Sequence, residues 1–168
     1  MYTFNNSKLE YVFILFTFIY LKLIVIAYMD FDKLDKELSE IVELRIRLSK
    51  ITYADPEYDD IEEELHDLED DLNEEFGDVL EGKLEDIYAT LVSDNDVLLP
   101  SAYLANKYIP MQPDARGIVT YDVQGKEGVP IESEQFDGQD VRIALVPNPA
   151  RFVMVINGRP LKDLWRSR

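Results

Sequence analysis

One stretch of the chain constrains the fold more than any other, and it runs from Asp55 to Val92. Apolar residues recur in it at steps of three and four, which places them on one side of a helix that faces a packing partner. Nearly every position off that side is Asp or Glu. The stretch therefore predicts a long acidic helix with one apolar stripe. The stripe consists of Tyr58, Ile61, Leu65, Leu68, Leu72, Phe76, Val79, Leu84, Ile87 and Leu91.

A second amphipathic pattern precedes this helix. It starts near Asp30, whose side chain can cap a helix, and ends near Ile51 after a cluster of basic residues that suits a helix C-terminus. In the short linker that follows, Asp55 fits an N-cap and Pro56 fits the first helical position. So short a linker predicts that the two helices run antiparallel, as a hairpin over residues 29–92.

The long helix has a weak point at Gly77, because glycine in a helix interior costs about 1 kcal/mol relative to alanine. Asn73 and Gly82 weaken the same region. A continuous helix to Val92 is one outcome. We expect instead a kink or short break, followed by a third helical segment from about Asp78.

The remaining residues, 93–168, read as a small β-rich part. Residues 97–109 fit either a short helix or an extended strand. After them, runs of β-forming residues alternate with turns such as Asp137-Gly138. This pattern predicts an antiparallel sheet of three to five strands, covered on one face by the apolar side of the hairpin. The fold class is therefore α+β, with residues 29–92 and 93–168 forming one folded unit.

The apolar segment Tyr11–Tyr28 allows three interpretations. Its length just suffices for a membrane helix, and the basic residues that follow it would place the folded domain in the cytoplasm. A signal peptide cleaved after Ala27 is the second, and Lys22 opposes both. In the third, residues 1–28 are a non-native upstream extension, because their composition matches A/T-rich codons. We favour the third, which also predicts a cytoplasmic protein.

The net charge of −17 resides in the helices. Residues 29–100 carry 25 acidic and 6 basic side chains, whereas residues 101–168 carry 8 and 9. Such a helical surface repels nucleic-acid phosphates and anionic lipid and attracts basic partners. Solubility alone is the simpler explanation, since charge runs are usually solvated.

From this charge we expect a protein-interaction or adaptor module that docks a basic protein through its acidic helical face. We expect no direct nucleic-acid binding, and a homo-oligomer is compatible with the pattern. The sole tryptophan, near the C-terminus, is a further contact candidate. The candidate interaction residues are Asp55, Glu57, Asp59, Asp60, Glu63, Asp67, Asp70 and Trp165.

Few residues indicate catalysis. The absence of cysteine excludes thiolate nucleophiles and cysteine-ligated metals. The only histidine, His66, forms a Glu-x-x-His spacing with Glu63, but a di-iron site needs two such motifs. Asp94-Asn95-Asp96 opens like a calcium loop that lacks its glycine and final glutamate. With no phosphate loop or nucleophile elbow either, the sequence predicts a non-enzyme without cofactor or metal.

The hairpin and its acidic tip, TYADPEYDDIEEE, resemble the coiled coil of bacterial transcript-cleavage factors. Members of that family insert the tip into the RNA polymerase channel and hold a metal with tip acids. The resemblance implies that Asp55, Glu57 and Asp59 are the tip acids. The alternative function is therefore a transcription regulator or nucleic-acid mimic that presents this tip to RNA polymerase or another basic nucleic-acid-binding protein.

Overall fold

The computed structural model describes Thr17 and residues 29–168. Residues Phe31–Arg168 form one compact unit of α+β class, as predicted. The apolar segment Tyr11–Tyr28 lies outside the described residues apart from Thr17. Among the described residues, no helix combines the length and apolar character needed to cross a membrane.

The helices are α1 (Phe31–Leu48), α2 (Tyr58–Leu91) and 3₁₀ turns at Pro100–Tyr103 and Glu134–Phe136. The strands are β1 (Ile109–Pro110), β2 (Tyr121–Asp122), β3 (Val129–Ile131), β4 (Val141–Val146), β5 (Arg151–Ile156) and β6 (Arg159–Arg166).

The two α-helices form the predicted antiparallel hairpin. Lys33, near the start of α1, pairs with Glu75 in the second half of α2. Arg47, at the end of α1, lies 3.5 Å from Glu57 at the start of α2. Apolar stripes of both helices are buried between them and the rest of the unit. The fully buried apolar side chains of the two helices are Leu34, Leu38, Ile41, Val42, Leu72, Leu80, Leu84 and Leu91.

The expected break at Gly77 is wrong, because α2 is one continuous helix of 34 residues. Gly77 is itself buried, and its neighbours Phe76 and Leu80 are almost completely buried. Burying two large side chains stabilises the helix by about 3–6 kcal/mol, which exceeds the cost of about 1 kcal/mol for one glycine. Because α2 is continuous, its buried side differs from the predicted apolar stripe. Leu80 is buried, whereas Val79, which was predicted to lie on the stripe, is half-buried.

The start of α2 also differs from the prediction. The helix begins at Tyr58, and its N-cap residue is Glu57, which makes no side-chain capping hydrogen bond. Asp55 and Pro56 instead belong to a pair of tight turns, in which Asp55 N–H donates to Thr52 O and Tyr58 N–H to Asp55 O. These turns use up the linker before the helix starts, so Asp55 is not the cap.

The main sheet is antiparallel, with the order β3-β4-β5-β6 and four strands, within the predicted range. Asn157 and Gly158 connect β5 to β6 with φ values of 50° and 78°, the left-handed pair that a two-residue hairpin turn requires. The C-terminal tail is thus an edge strand. On it Trp165 lies opposite Phe152.

The sheet is covered on both faces, not one. On the face that carries Phe152, the ring of Tyr103 lies 5.9 Å away in an edge-on contact. The opposite face packs into a cluster that includes Val42 of α1 and the short ribbon β1–β2. Of the β-forming run 118–123, only Tyr121–Asp122 is a strand, and residues 97–109 become a 3₁₀ turn followed by β1. Residues 97–109 were ambiguous because tertiary contacts determine their conformation.

Candidate interaction surface

The outward side of α2 carries a continuous row of carboxylates. They recur at steps of three and four residues, which is the spacing of one helix face. All are exposed except Glu81, which is half-buried. We call this row the acidic stripe. It consists of Asp59, Glu63, Asp67, Asp70, Glu74, Asp78, Glu81 and Glu85.

The side chains of the acidic stripe have no cationic partner within residues 29–168. Acids of α2 that point toward α1 behave differently. Glu75 pairs with Lys33, and Glu69 accepts from Arg45 Nη2 at 2.6 Å. The guanidinium of Arg45 also donates to Ala105 O at 2.9 Å. Glu69 and Glu75 are therefore neutralised within the molecule, and the acids of the stripe are left for solvent or another molecule.

This arrangement costs stability. Like charges four residues apart on a helix destabilise it by about 0.2–0.5 kcal/mol per pair, and the stripe contains seven consecutive steps of three or four. Solubility needs only net charge, which acids and bases mixed along a helix also provide. A single-sign row maintained against its own repulsion favours a role in binding positive charge.

The structure brings together half of the predicted interaction residues. Four of them lie on the acidic stripe, and Asp60 is exposed beside it. Asp55 lies in the linker, and Glu57 is engaged by Arg47. Trp165 is separate, because it packs against Phe31 and Phe152 on the inward side. The four on the stripe are Asp59, Glu63, Asp67 and Asp70.

Sequence reasoning missed the second half of the stripe, which runs from Glu74 to Glu85. The signal was present, because the acids keep helical spacing across the whole of α2. The expected break at Gly77 divided the row in two and hid its length. Continuity of α2 is thus what makes the eight carboxylates one surface.

The hairpin tip does not assemble a cluster of acids. Within residues 29–168, no group of three or more His, Asp or Glu side chains is placed to hold a metal ion, contrary to what the resemblance implied. The tip instead presents an aromatic pair. Tyr53 is 83% exposed, and its ring lies 4.3 Å from that of Tyr58. A hydrogen bond with Tyr53 raises the pKa of Tyr58 to about 12, so the Tyr58 ring is neutral at physiological pH.

One hollow in the described part of the molecule has a volume of about 580 Å³. The paired side chains of Arg45 and Glu69 line it together with the exposed Leu98 and Leu99. Because these two charged groups already satisfy each other, the role of this pair is structural.

The row of acids on α2 is therefore the feature of the described residues that most clearly points outward to another molecule. Three further hollows, of about 170 to 310 Å³, have linings that mix polar and apolar residues. Comparison of the chain with known protein families, with curated proteins and with solved structures found no match.

Proposed function

We propose that the protein is a non-catalytic interaction module whose acidic stripe docks a basic protein. The observation that carries this proposal is the contrast within α2: Glu69 and Glu75, which face α1, are paired, whereas the acids of the stripe have no cation within the described residues. A partner that supplies lysine or arginine side chains along the stripe would relieve the repulsion between its carboxylates.

The dimensions of the stripe indicate the shape of the partner. From Asp59 to Glu85 the helix rises about 39 Å, at roughly 1.5 Å per residue, with about one carboxylate per turn. Each exposed ion pair contributes at most about 1 kcal/mol, so useful affinity requires several at once. The partner is therefore a long basic segment with positive charges at a similar spacing, and its binding weakens as salt rises.

A second candidate is a nucleic-acid mimic that occupies a basic nucleic-acid-binding protein, such as RNA polymerase. The charge density of α2 favours it. Of the helix's 15 acidic side chains in 34 residues, 13 have no ion pair within the described residues, which is about one per 3.9 Å of axis. One strand of B-DNA has a similar spacing, roughly 3.4 Å per charge. A mimic binds where nucleic acid binds, whereas another basic partner need not.

The test uses the full chain and two variants of equal net charge, each with four exposed acids converted to amides. The stripe variant changes four neighbours on the acidic stripe, and the off-stripe variant changes four acids elsewhere. The stripe variant is Glu63→Gln, Asp67→Asn, Asp70→Asn and Glu74→Gln. The off-stripe variant is Glu43→Gln, Asp96→Asn, Glu132→Gln and Asp137→Asn.

Each protein is immobilised and exposed to native lysate at low and moderate salt, and bound proteins are quantified. We expect one basic partner to bind the native chain and the off-stripe variant, to elute with salt, and to be absent from the stripe variant. Addition of duplex DNA or of polyglutamate separates the two candidates: DNA should displace the partner of a mimic at a far lower charge concentration than polyglutamate does, whereas the two polyanions should compete about equally for another basic segment. Equal loss from both variants would show that net charge alone is responsible and would contradict both candidates.

A further inference from the structure

β6 is an outer edge of the main sheet and the longer of its two edges. It pairs with β5 on one side, and among the described residues no strand pairs with its other side. Five of its eight residues are exposed. The opposite edge, β3, has only three residues. Edge strands present unpaired backbone N–H and C=O groups, so β6 is the edge long enough to accept another strand.

A hollow lies on each side of this edge. On the side of α2, Leu164 and Trp165 line a hollow of about 170 Å³ together with Thr90. On the side of the β1–β2 ribbon, Leu161 lines a hollow of about 310 Å³ together with Met111. Side chains of a strand alternate between the two faces of a sheet. A strand added to β6 would therefore direct successive side chains toward the two hollows.

The charged side chains of β6 indicate which charge its partner carries. Arg159 and Lys162 are exposed, and neither has an ion pair within residues 29–168. Arg166, by contrast, is held by Asp163. Cations without an internal partner favour carboxylates from another chain. In the register of the sheet, Arg159, Lys162 and Trp165 lie opposite Ile156, Met154 and Phe152, so all three belong to one face of the sheet.

Other features of β6 limit indiscriminate pairing. Pro160 lacks a backbone N–H, and two register irregularities interrupt the ladder with β5. Such features discourage arbitrary strand addition at an edge. Recognition at β6 must therefore depend on side chains that fit the two hollows and the two cations as well as on backbone hydrogen bonds.

We propose that the outer edge of β6 binds an extended acidic–apolar peptide segment of another protein as a fifth strand of the sheet. The segment places carboxylates beside Arg159 and Lys162 and an apolar side chain in the hollow of Trp165. Its intervening side chains lie along the hollow of Leu161 and Met111. This site is distinct from the acidic stripe and takes a partner of the opposite charge.

The chain contains its own reporter for this site, because Trp165 is its only tryptophan and lines one hollow. The probe is a blocked heptapeptide in which two glutamates and a leucine alternate with valines, synthesised in both chain directions. Added to the full-length protein, it should change the tryptophan emission saturably. Two controls should bind about tenfold more weakly or less: the same peptide with lysine for glutamate, and one with N-methylated valines.

Two pairs of variants test the position. Thr90→Phe fills the hollow beside Trp165 and should weaken peptide binding by about tenfold, whereas Ala89→Phe, on the exposed side of the same turn, should not. Lys162→Glu should weaken binding similarly, whereas Lys50→Glu should not. Circular dichroism verifies that each variant is folded.

The proposal is overturned if neither peptide direction changes the emission, or if Thr90→Phe and Lys162→Glu both leave binding intact. Self-association that these two variants abolish, without peptide binding, would identify a second copy as the occupant and would also overturn it. The stripe variant should bind the peptide normally, so failure of this proposal and failure of the proposed function are distinguishable.

Discussion

Both helices of the hairpin bury an apolar side, but their outer surfaces differ in the pattern of charge. α1 mixes signs: Lys33 lies 3.4 Å from Glu37, and Lys36 lies 3.3 Å from Glu40, each four residues apart. α2 instead arranges its outward side as one row of acids without a described cation. Both helices bury an apolar stripe, so the fold does not require this difference. Four of the five acids of α1, all except Glu43, have an ion pair within the described part of the molecule, whereas those of the acidic stripe have none there.

Asp35 is an acid of α1 whose carboxylate makes several contacts within the molecule. It is the only charged residue among the described ones that is buried, with 4% exposure. Its carboxylate accepts hydrogen bonds from the backbone N–H groups of Asn148, at 3.3 Å, and Ala150, and it pairs with Arg168. These contacts fasten α1 to the turn between β4 and β5. A carboxylate on the acidic stripe has no comparable task within the described unit.

The largest expected effect comes from removing the Asp35 carboxylate, which connects α1 to the turn between β4 and β5. Asp35→Ala leaves two backbone N–H groups without their acceptor, one of them buried, and should lower the free energy of unfolding by about 3 kcal/mol. Asp70→Ala on the acidic stripe should change it by about 0.5 kcal/mol or less. Urea denaturation of both variants measures the difference. Similar losses in the two variants would show that the inward and outward acids are not used differently.

The next largest effect concerns the stability of the stripe variant. The stripe variant removes like-charge neighbours and should raise the free energy of unfolding by about 1 kcal/mol at low salt. The gain over the native chain should shrink as salt screens the repulsion. Thermal and urea denaturation at two salt concentrations test this. A loss of stability on neutralisation would mean that the stripe has stabilising partners in the folded chain.

A smaller effect is expected on the mixed surface of α1. Lys36→Gln removes an exposed pair with Glu40 and should cost about 0.3–0.5 kcal/mol at low salt and less at high salt. The same denaturation experiment detects it. Its sign should be opposite to that of the stripe variant, and a gain in stability would contradict the assigned role of this pair.

The smallest effect concerns pH. Burial, opposed by Lys33 and reinforced by Glu75 and Asp71, raises the pKa of the Glu37 carboxyl above its ordinary value of 4.5. The folded protein then retains a proton that the unfolded chain has released, so this group's contribution to stability falls as pH rises through the folded-state pKa. Glu37→Gln should remove that component from a plot of stability against pH. An unchanged plot would contradict the assignment.

Sequence periodicity predicted the parts of the fold that local preferences determine. The helices and the antiparallel hairpin follow from amphipathic spacing and from a short linker. Periodicity failed at Gly77, because the local cost of glycine is smaller than the gain from burying Phe76 and Leu80. That one error also concealed half of the acidic stripe.

Residues 97–109 were unpredictable for a related reason. Their conformation depends on partners far away in the sequence. The hydroxyl of Tyr103 lies 2.8 Å from that of Tyr88, and the hydroxyl of Tyr108 donates to Leu145 O at 2.8 Å. No local pattern encodes these contacts. The two hollows beside β6 were equally hidden, since they form only when α2 and the β1–β2 ribbon approach the sheet.

The central claim is that the acidic stripe, as a surface and not merely as charge, binds a basic protein. Its most direct test is the amount of one captured protein on the stripe variant relative to the off-stripe variant, which have the same net charge. The claim predicts that a basic partner is retained by the native chain and the off-stripe variant and lost from the stripe variant at low salt. Equal capture by the two variants would contradict it.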